Sequence, residues 1–174
     1  VTKKLQLLLP EIGYDLSQVY MSATHTHCSV GGWADSWLGN QFAGEFNEKI
    51  VNDLATSIII TIKKAEEKLL NATIGFGKYN AGKFVRNRLV GDKGTTDPWF
   101  RIIKIEKSNG SIGIITSFAA HATIYSDKQM QYSRDYPGAI VDSLEQLKHI
   151  DMAAFCAGAV GSHSPNIKGS NGSE

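Results

Sequence analysis

Apolar residues recur along the chain at two spacings, and these divide it into predicted elements. From residue 3 to 12 they fall at Leu5, Leu8, Leu9 and Ile12, which is a helical spacing. Pro10 shortens or kinks that helix, and Gly13 supplies a stop. Residues 18–23 carry Val19, Tyr20 and Met21 in a run that reads as a buried strand leading directly into Thr24-His25-Thr26-His27. The stretch 29–40, rich in Gly, Ser and Trp, reads as a loop. Phe46, Ile50, Leu54, Ile58 and Ile62 then recur at helical spacing with Glu and Lys between them, which predicts a long helix over 45–70.

Beyond residue 70 the pattern turns to strands. Ile74 and Phe76 alternate with small or polar residues over 72–78. The segment 84–90 is mixed and 91–98 reads as a loop. Residues 100–105 and 112–119 read as two strands joined at Ser108-Asn109-Gly110, where Asn-Gly signals a hairpin. A helix is predicted over 137–147 with Pro137 in its first turn. A short apolar strand over 152–156 then enters the Gly-rich loop 157–165. The expected fold class is α/β, a mixed β-sheet core flanked by helices, with chemistry at the strand ends where open α/β sheets place their sites.

Composition narrows the class without naming a partner. The 174 residues suffice for one domain, and 1–174 is expected to be a single one. A net charge of +1, with no basic stripe, argues against nucleic acid. No apolar run is long enough to span a bilayer, and no signal peptide opens the chain. Cys28 and Cys156 are too few for a disulfide framework and are expected to stay free. Asn71, Asn109 and Asn171 head Asn-x-Ser/Thr triplets, a pattern too common by chance to fix a compartment. Both ends read as cut, since the chain opens inside a predicted helix and closes in the loop 169–174.

Three segments that follow predicted strands hold the candidate chemistry. In an extended Thr24-His25-Thr26-His27 the two imidazoles point to one side, as joint metal ligands, as one ligand and one group acting on substrate, or as two ordinary surface histidines. His121 ends the apolar segment Phe118-Ala119-Ala120; alone it reads as a core histidine satisfied by a backbone carbonyl, and with His25 as a second imidazole ligand from a separate strand end. A catalytic zinc needs a third protein ligand, but neither Asp127 nor Asp135 sits in a clear metal spacing. In the third segment, Gly158 to Asn166, Ser164 is a nucleophile, a group that orients substrate, or part of a tight Ser-Pro turn. The Gly-x-Ser-x-Gly elbow is absent. Arg88 is either an oxyanion stabiliser or part of a solvated basic face.

Taken in order, these segments resemble the neutral/alkaline ceramidase family. That family carries Thr-His-Thr-His-Ser-Gly-Pro-Gly-Gly, and residues 24–32 read THTHCSVGG. Its Asn-Arg-Ser is matched in part by Asn87-Arg88-Leu89, its Asp-Pro by Asp97-Pro98, and its Phe-Ala-x-His by Phe118 to His121. Asp135-Tyr136-Pro137-Gly138 and Gly158 to Asn166 match two further segments. Departures are Cys28, Ser29 and Val30 beside the first histidines, Leu89 after the arginine, and Ser162 and His163 before the serine.

The resemblance implies a zinc-dependent hydrolase that cleaves the amide bond of N-acyl sphingosine, and a chain that is part of its catalytic domain. His25 and His121 would be zinc ligands, His27 would sit by the substrate amide, Arg88 would hold the carbonyl oxygen, and Ser164 would be the active-site serine. Two further zinc ligands of the family, a Glu and a Tyr, lie beyond residue 174. A lipid substrate, peripheral membrane contact and a location outside the cytosol are also implied. The competing readings are a related zinc hydrolase for another amide or ester, and a metal-free domain without activity.

Overall fold

The structure is a computed structural model that describes residues 1–125, 128 and 130–167. Asp127, Asn171 and the loop 169–174 lie outside the described residues. The chain forms two compact units, one of residues 1–21 and 30–69, the other of residues 22–29 and the chain from residue 70 onward.

The first unit is helical. Helix α1 (Thr2–Leu8) passes into a 3-10 turn (Leu9–Ile12) that has Pro10 at its start, where a missing N–H costs no hydrogen bond. Gly13 ends the turn at φ +80°, a conformation that side-chain-bearing residues rarely adopt. Helix α3 (Glu48–Glu66) begins at Asn47, whose side chain accepts from the Lys49 N–H. Its inward stripe is Val51, Ala55, Ile58, Ile59 and Ile62, and of these Ala55 and the three isoleucines pack with fully buried Leu5 and Leu9. Of the row that the spacing predicts, Ile58 and Ile62 lie in this stripe, while the stripe's most buried positions, Val51 and Ala55, each stand one residue after Ile50 and Leu54.

Two local readings are corrected in this unit and beside it. Residues 37–40, the end of the stretch read as loop, belong to helix α2 (Trp37–Ala43), capped by the Ser36 hydroxyl accepting from Gly39 N–H at 3.0 Å. Residues 18–23 do not form a strand of either sheet. Asp15 caps a 3-10 turn (Leu16–Gln18) instead, and Tyr20 is 87% exposed, so the apolar run has no sheet to enter.

The second unit is built on a four-stranded mixed sheet in the order β1 (Ala72–Asn80), β3 (Trp99–Lys107), β4 (Ile112–Phe118), β5 (Met152–Ala157). The first two pairings are antiparallel and β4–β5 is parallel. The β3–β4 hairpin turns at Ser108-Asn109-Gly110 as its Asn-Gly predicts, with Gly110 at φ +86°. A parallel pair needs a crossover, and helix α4 (Asp135–Glu145) supplies it. A small antiparallel sheet joins β2 (Val85–Asn87) to β6 (His163–Pro165). The fold class is therefore the α/β mixed sheet with helices that the pattern predicts.

The second unit's core holds Val85, Phe118, Ala120 and Phe155, with Phe100, Tyr136, Ile140 and Val141 against them. Tyr136 and Phe155 meet edge to face with centroids 5.5 Å apart. Phe155→Ala should therefore lower unfolding stability by roughly 3–5 kcal/mol, read as a shifted urea midpoint at constant slope. Cys28 and Cys156 are free, and among the described residues no helix is long and apolar enough to cross a membrane.

Candidate metal centre

Strand β4 ends at Phe118, and the next three residues turn away from the sheet to carry His121 into a buried position. The chain just after β5 (Met152–Ala157) is held against this turn by the Gly158 N–H, which donates to Phe118 O at 2.8 Å. Segment 22–29 lies beside both. Ala23 O accepts from Ala157 N–H at 2.9 Å, and the Thr26 hydroxyl donates to Ser133 O at 2.8 Å. Ser133 N–H donates in turn to Cys28 O at 2.9 Å.

These anchors bring His25, His27 and His121 together, with one potential ligand atom from each lying within 4.8 Å of the others. Ring centroids are 5.3 Å apart for His25–His27, 4.6 Å for His25–His121 and 4.9 Å for His27–His121. The two histidines of segment 22–29 do share a side. They reach it through a left-handed turn, with His25 at φ +59°, rather than along an extended strand. Histidine is among the few side-chain-bearing residues enriched in that conformation.

The tautomer of His121 follows from its partners. Its Nδ1 lies 2.9 Å from Val160 O, and a carbonyl only accepts, so Nδ1 carries the proton. Nε2 then presents its lone pair toward His27, whose Nε2 is 2.9 Å away. The Arg88 Nη1, 3.3 Å from the same Nδ1, is a close cationic neighbour and not a donor to it. Arg88 itself is held by its N–H to Ser162 O at 2.9 Å, and by Asn87, whose Oδ1 accepts from both Leu89 and Val90 N–H groups.

All three imidazoles are held below the ordinary histidine pKa. Loss of water is the leading cause for each, through burial at His121 and, at the more exposed His25 and His27, through the neighbouring rings packed against them. Neighbouring imidazoles and the Arg88 charge push further in the same direction. For His121 the Val160 carbonyl opposes the shift, and for His27 the carboxylate of Asp135 does. The sign of the linkage is fixed by this direction. Below about pH 6.5 the unfolded chain takes up protons that the folded site refuses, so stability falls with falling pH. The urea midpoint of the metal-free protein should drop between about pH 7.5 and pH 5, and drop less when His121 is replaced by phenylalanine.

Such a group fits a metal ion such as zinc. Neutral imidazole nitrogen is a zinc ligand at about 2.0–2.1 Å, which separates two nitrogens on one tetrahedral ion by roughly 3.3 Å. The 2.9 Å between the Nε2 atoms of His27 and His121 is a few tenths of an ångström short of that. A backbone carbonyl on the far nitrogen of His121 is the usual support for a metal-binding histidine.

Ser164 stands apart from this cluster in its contacts. It pairs with Arg86 across β2–β6, and its hydroxyl accepts from Arg86 Nε at 3.2 Å. Asp135, considered as a ligand, is buried and bonds to backbone instead. It accepts from the Tyr125 and Tyr136 N–H groups, at a left-handed φ of +52°. Next to it, the Tyr136 hydroxyl donates to Ala120 O. Burial raises that hydroxyl's pKa, with the Asp135 charge adding to it, so it remains protonated as a donor. Residues 133–136 thus fasten both histidine-bearing segments. Tyr136 lies in the Asp135-Tyr136-Pro137-Gly138 segment already noted, whereas no pattern of residue types marks Ser133 or the Val160 carbonyl in advance.

Comparison with known proteins places the whole chain in one group. The model of the family described as "Neutral/alkaline non-lysosomal ceramidase, N-terminal" matches residues 1–174. The neutral ceramidase of Pseudomonas aeruginosa is 27% identical over 181 residues, covering 96% of this chain and 27% of that protein. The neutral ceramidase of Mycobacterium tuberculosis is 22% identical over 177 residues, covering 90% and 28%. A solved structure of a ceramidase complexed with C2 superposes with a TM-score of 0.84 at 25% identity, over 96% of this chain and 29% of that one. The crystal structure of neutral ceramidase from Pseudomonas aeruginosa gives 0.79 at 24% identity, over 100% and 31%. The chain spans less than a third of the length of each of these relatives.

Proposed function

The chain belongs to the neutral/alkaline non-lysosomal ceramidase family, and on that premise we propose that it carries part of the catalytic centre of a zinc-dependent amide hydrolase that splits N-acyl sphingosine into sphingosine and a fatty acid. The observation that carries this reading is the convergence of His25, His27 and His121 beside the Arg88 guanidinium. Three imidazoles with one adjacent cation suit a reaction that develops negative charge on a carbonyl oxygen.

In this reading His25 and His121 hold zinc, together with ligands that the family resemblance puts beyond residue 174. Zinc, when bound, polarises a carbonyl and acidifies a water molecule. The chain's own residues do the rest. Val160 keeps His121 in the Nδ1–H tautomer, which leaves Nε2 free to ligate. His27 faces the substrate amide and, with Arg88, donates to the oxygen as it gains charge. Water is the attacking group and Ser164 orients substrate, because the hydroxyl has an arginine donor and no base. The adjacent His163 has both ring nitrogens occupied, by the Asp97 N–H and the Ala159 carbonyl.

A lipid chain needs an apolar cleft. A cavity of about 490 Å³ lies in the second unit, lined largely by apolar side chains including Phe84, Phe100 and Ile140. Its wall contains Ala120, the residue before His121, and Pro165, the residue after Ser164. That volume lies within the range of small-molecule sites. The reading also has the enzyme acting outside the cytosol, in peripheral contact with the membrane that holds its substrate.

The test is zinc content of the full-length protein by elemental analysis, joined to hydrolysis of N-acyl sphingosine and of a short N-acyl amine. About one zinc per chain with preference for the sphingosine amide is the expected result. Zinc with activity on the short amide alone would point to another amide hydrolase, and absence of zinc would remove the reading.

A further inference from the structure

His163 is one of the few buried polar residues of the second unit, at 6% exposure. Its Nε2 accepts from the Asp97 N–H at 2.8 Å, and an amide nitrogen can only donate there. The single ring proton of the neutral imidazole is therefore on Nδ1. That proton points to Ala159 O at 2.8 Å, with the Ser162 hydroxyl at 2.9 Å. Both nitrogens are spent within the fold. The ring ties the start of β3 to the turn that follows β5.

The turn so tied is the one that serves the histidine group. Its short 3-10 helix runs Val160–Ser162, immediately after Ala159 and immediately before His163. Within it, Val160 O receives the His121 Nδ1–H, and Ser162 O receives the Arg88 N–H. The carbonyls of residues 159, 160 and 162 thus face His163, His121 and Arg88 in that order. Only the two dihedrals of Val160 lie between the Ala159 and Val160 carbonyls, and its place in the 3-10 helix sets both, so holding Ala159 O restricts the direction of Val160 O.

We propose that His163 is a positioning residue for the metal centre, setting the Val160 carbonyl that selects the His121 tautomer and the Ser162 carbonyl that seats Arg88. This rests on the reading of the histidine group as a metal site. It also gives a use to a position where the chain departs from the motif of the family it resembles. His163 does not touch substrate or metal, and acts through the turn alone.

The experiment combines ¹⁵N spectra of the histidine rings, which report the tautomer directly, with zinc titration by calorimetry. In the unaltered protein His163 and His121 are both expected as Nδ1–H tautomers, and an Nε2–H signature at His163 overturns the inference. His163→Leu fills similar space and loses both bonds. It is expected to give His121 a mixture of tautomers and to weaken zinc binding by about 10- to 100-fold, the usual cost of losing an outer-shell partner. His163→Gln offers an acceptor and a donor of its own and should restore both readouts. A folded His163→Leu with unchanged His121 signals and zinc affinity overturns the inference and leaves the metal centre standing. If His163→Leu does not fold, His163→Asn decides, since its shorter amide reaches one partner and should give an intermediate loss. Failure of the metal reading looks different. The unaltered protein and His121→Ala would both lack zinc binding, while the tautomers would still judge His163.

Discussion

His25→Ala is expected to remove stoichiometric zinc from the protein and all measurable amide hydrolysis with it, whereas His27→Ala keeps the metal and lowers the rate. The two residues sit two positions apart on one segment and their rings are 5.3 Å apart, so a change in local packing would affect both variants alike. Only a division of labour separates them. Losing a ligand from a zinc site removes binding free energy outright. Losing a donor to a developing oxyanion costs about 10²–10³ in kcat with metal content intact. Elemental analysis and kcat on the same samples make the comparison. Retained zinc in His25→Ala would remove the ligand assignment. Zinc lost equally from His27→Ala would make His27 a ligand too, a role that the 2.9 Å approach of its Nε2 to His121 Nε2 permits.

Arg88→Ala should have the next largest effect. The guanidinium lies against the histidine group, and its charge is among the causes that keep all three imidazoles below their ordinary pKa. Its removal should lower kcat by about 10²–10³ and raise the titration midpoints of His25, His27 and His121. The backbone bond from residue 88 to Ser162 O survives the substitution, so the unfolding midpoint should hardly move. Arg88→Lys restores the charge but not the planar fork, and should recover the histidine midpoints better than it recovers kcat. An Arg88→Ala enzyme with unchanged kcat would leave the side chain as a solvated cation.

The parts of this site that were legible in the sequence are those that depend on residue type. His121 stood out because an apolar strand runs into it, and β4 does end three residues earlier. The Asn-Gly hairpin and the long helix were legible because turn chemistry and helical spacing are local properties. The strand read over 18–23 was not, because Val19-Tyr20-Met21 carries the right residues for a strand without a neighbour to pair with. Asp15 offered a local alternative, capping a 3-10 turn. Helix α2 was hidden by Gly39 and Asn40, poor helix formers, although Ser36 stood in the capping position. The Val160 carbonyl that sets the His121 tautomer could not be read at all, since every residue has one. Likewise Ser164 and His163 are neighbours in sequence, yet a strand sends alternate side chains to opposite faces, so one meets Arg86 and the other the Asp97 N–H.

Segment 22–29 has a consequence for how the centre comes together. It has no regular secondary structure, and its attachments at Ala23, Thr26 and Cys28 are single hydrogen bonds to distant parts of the chain. His121, by contrast, is rooted in the sheet and the core. Free energies of local opening are smallest where few contacts must be broken, so the pair His25–His27 detaches far more readily than His121. On the proposed reading the centre has a more firmly and a less firmly held half, and apparent metal affinity would be the intrinsic affinity scaled by the fraction of molecules in which the second half is in place. Any change that steadies residues 133–136 against segment 22–29 would tighten metal binding without altering a ligand.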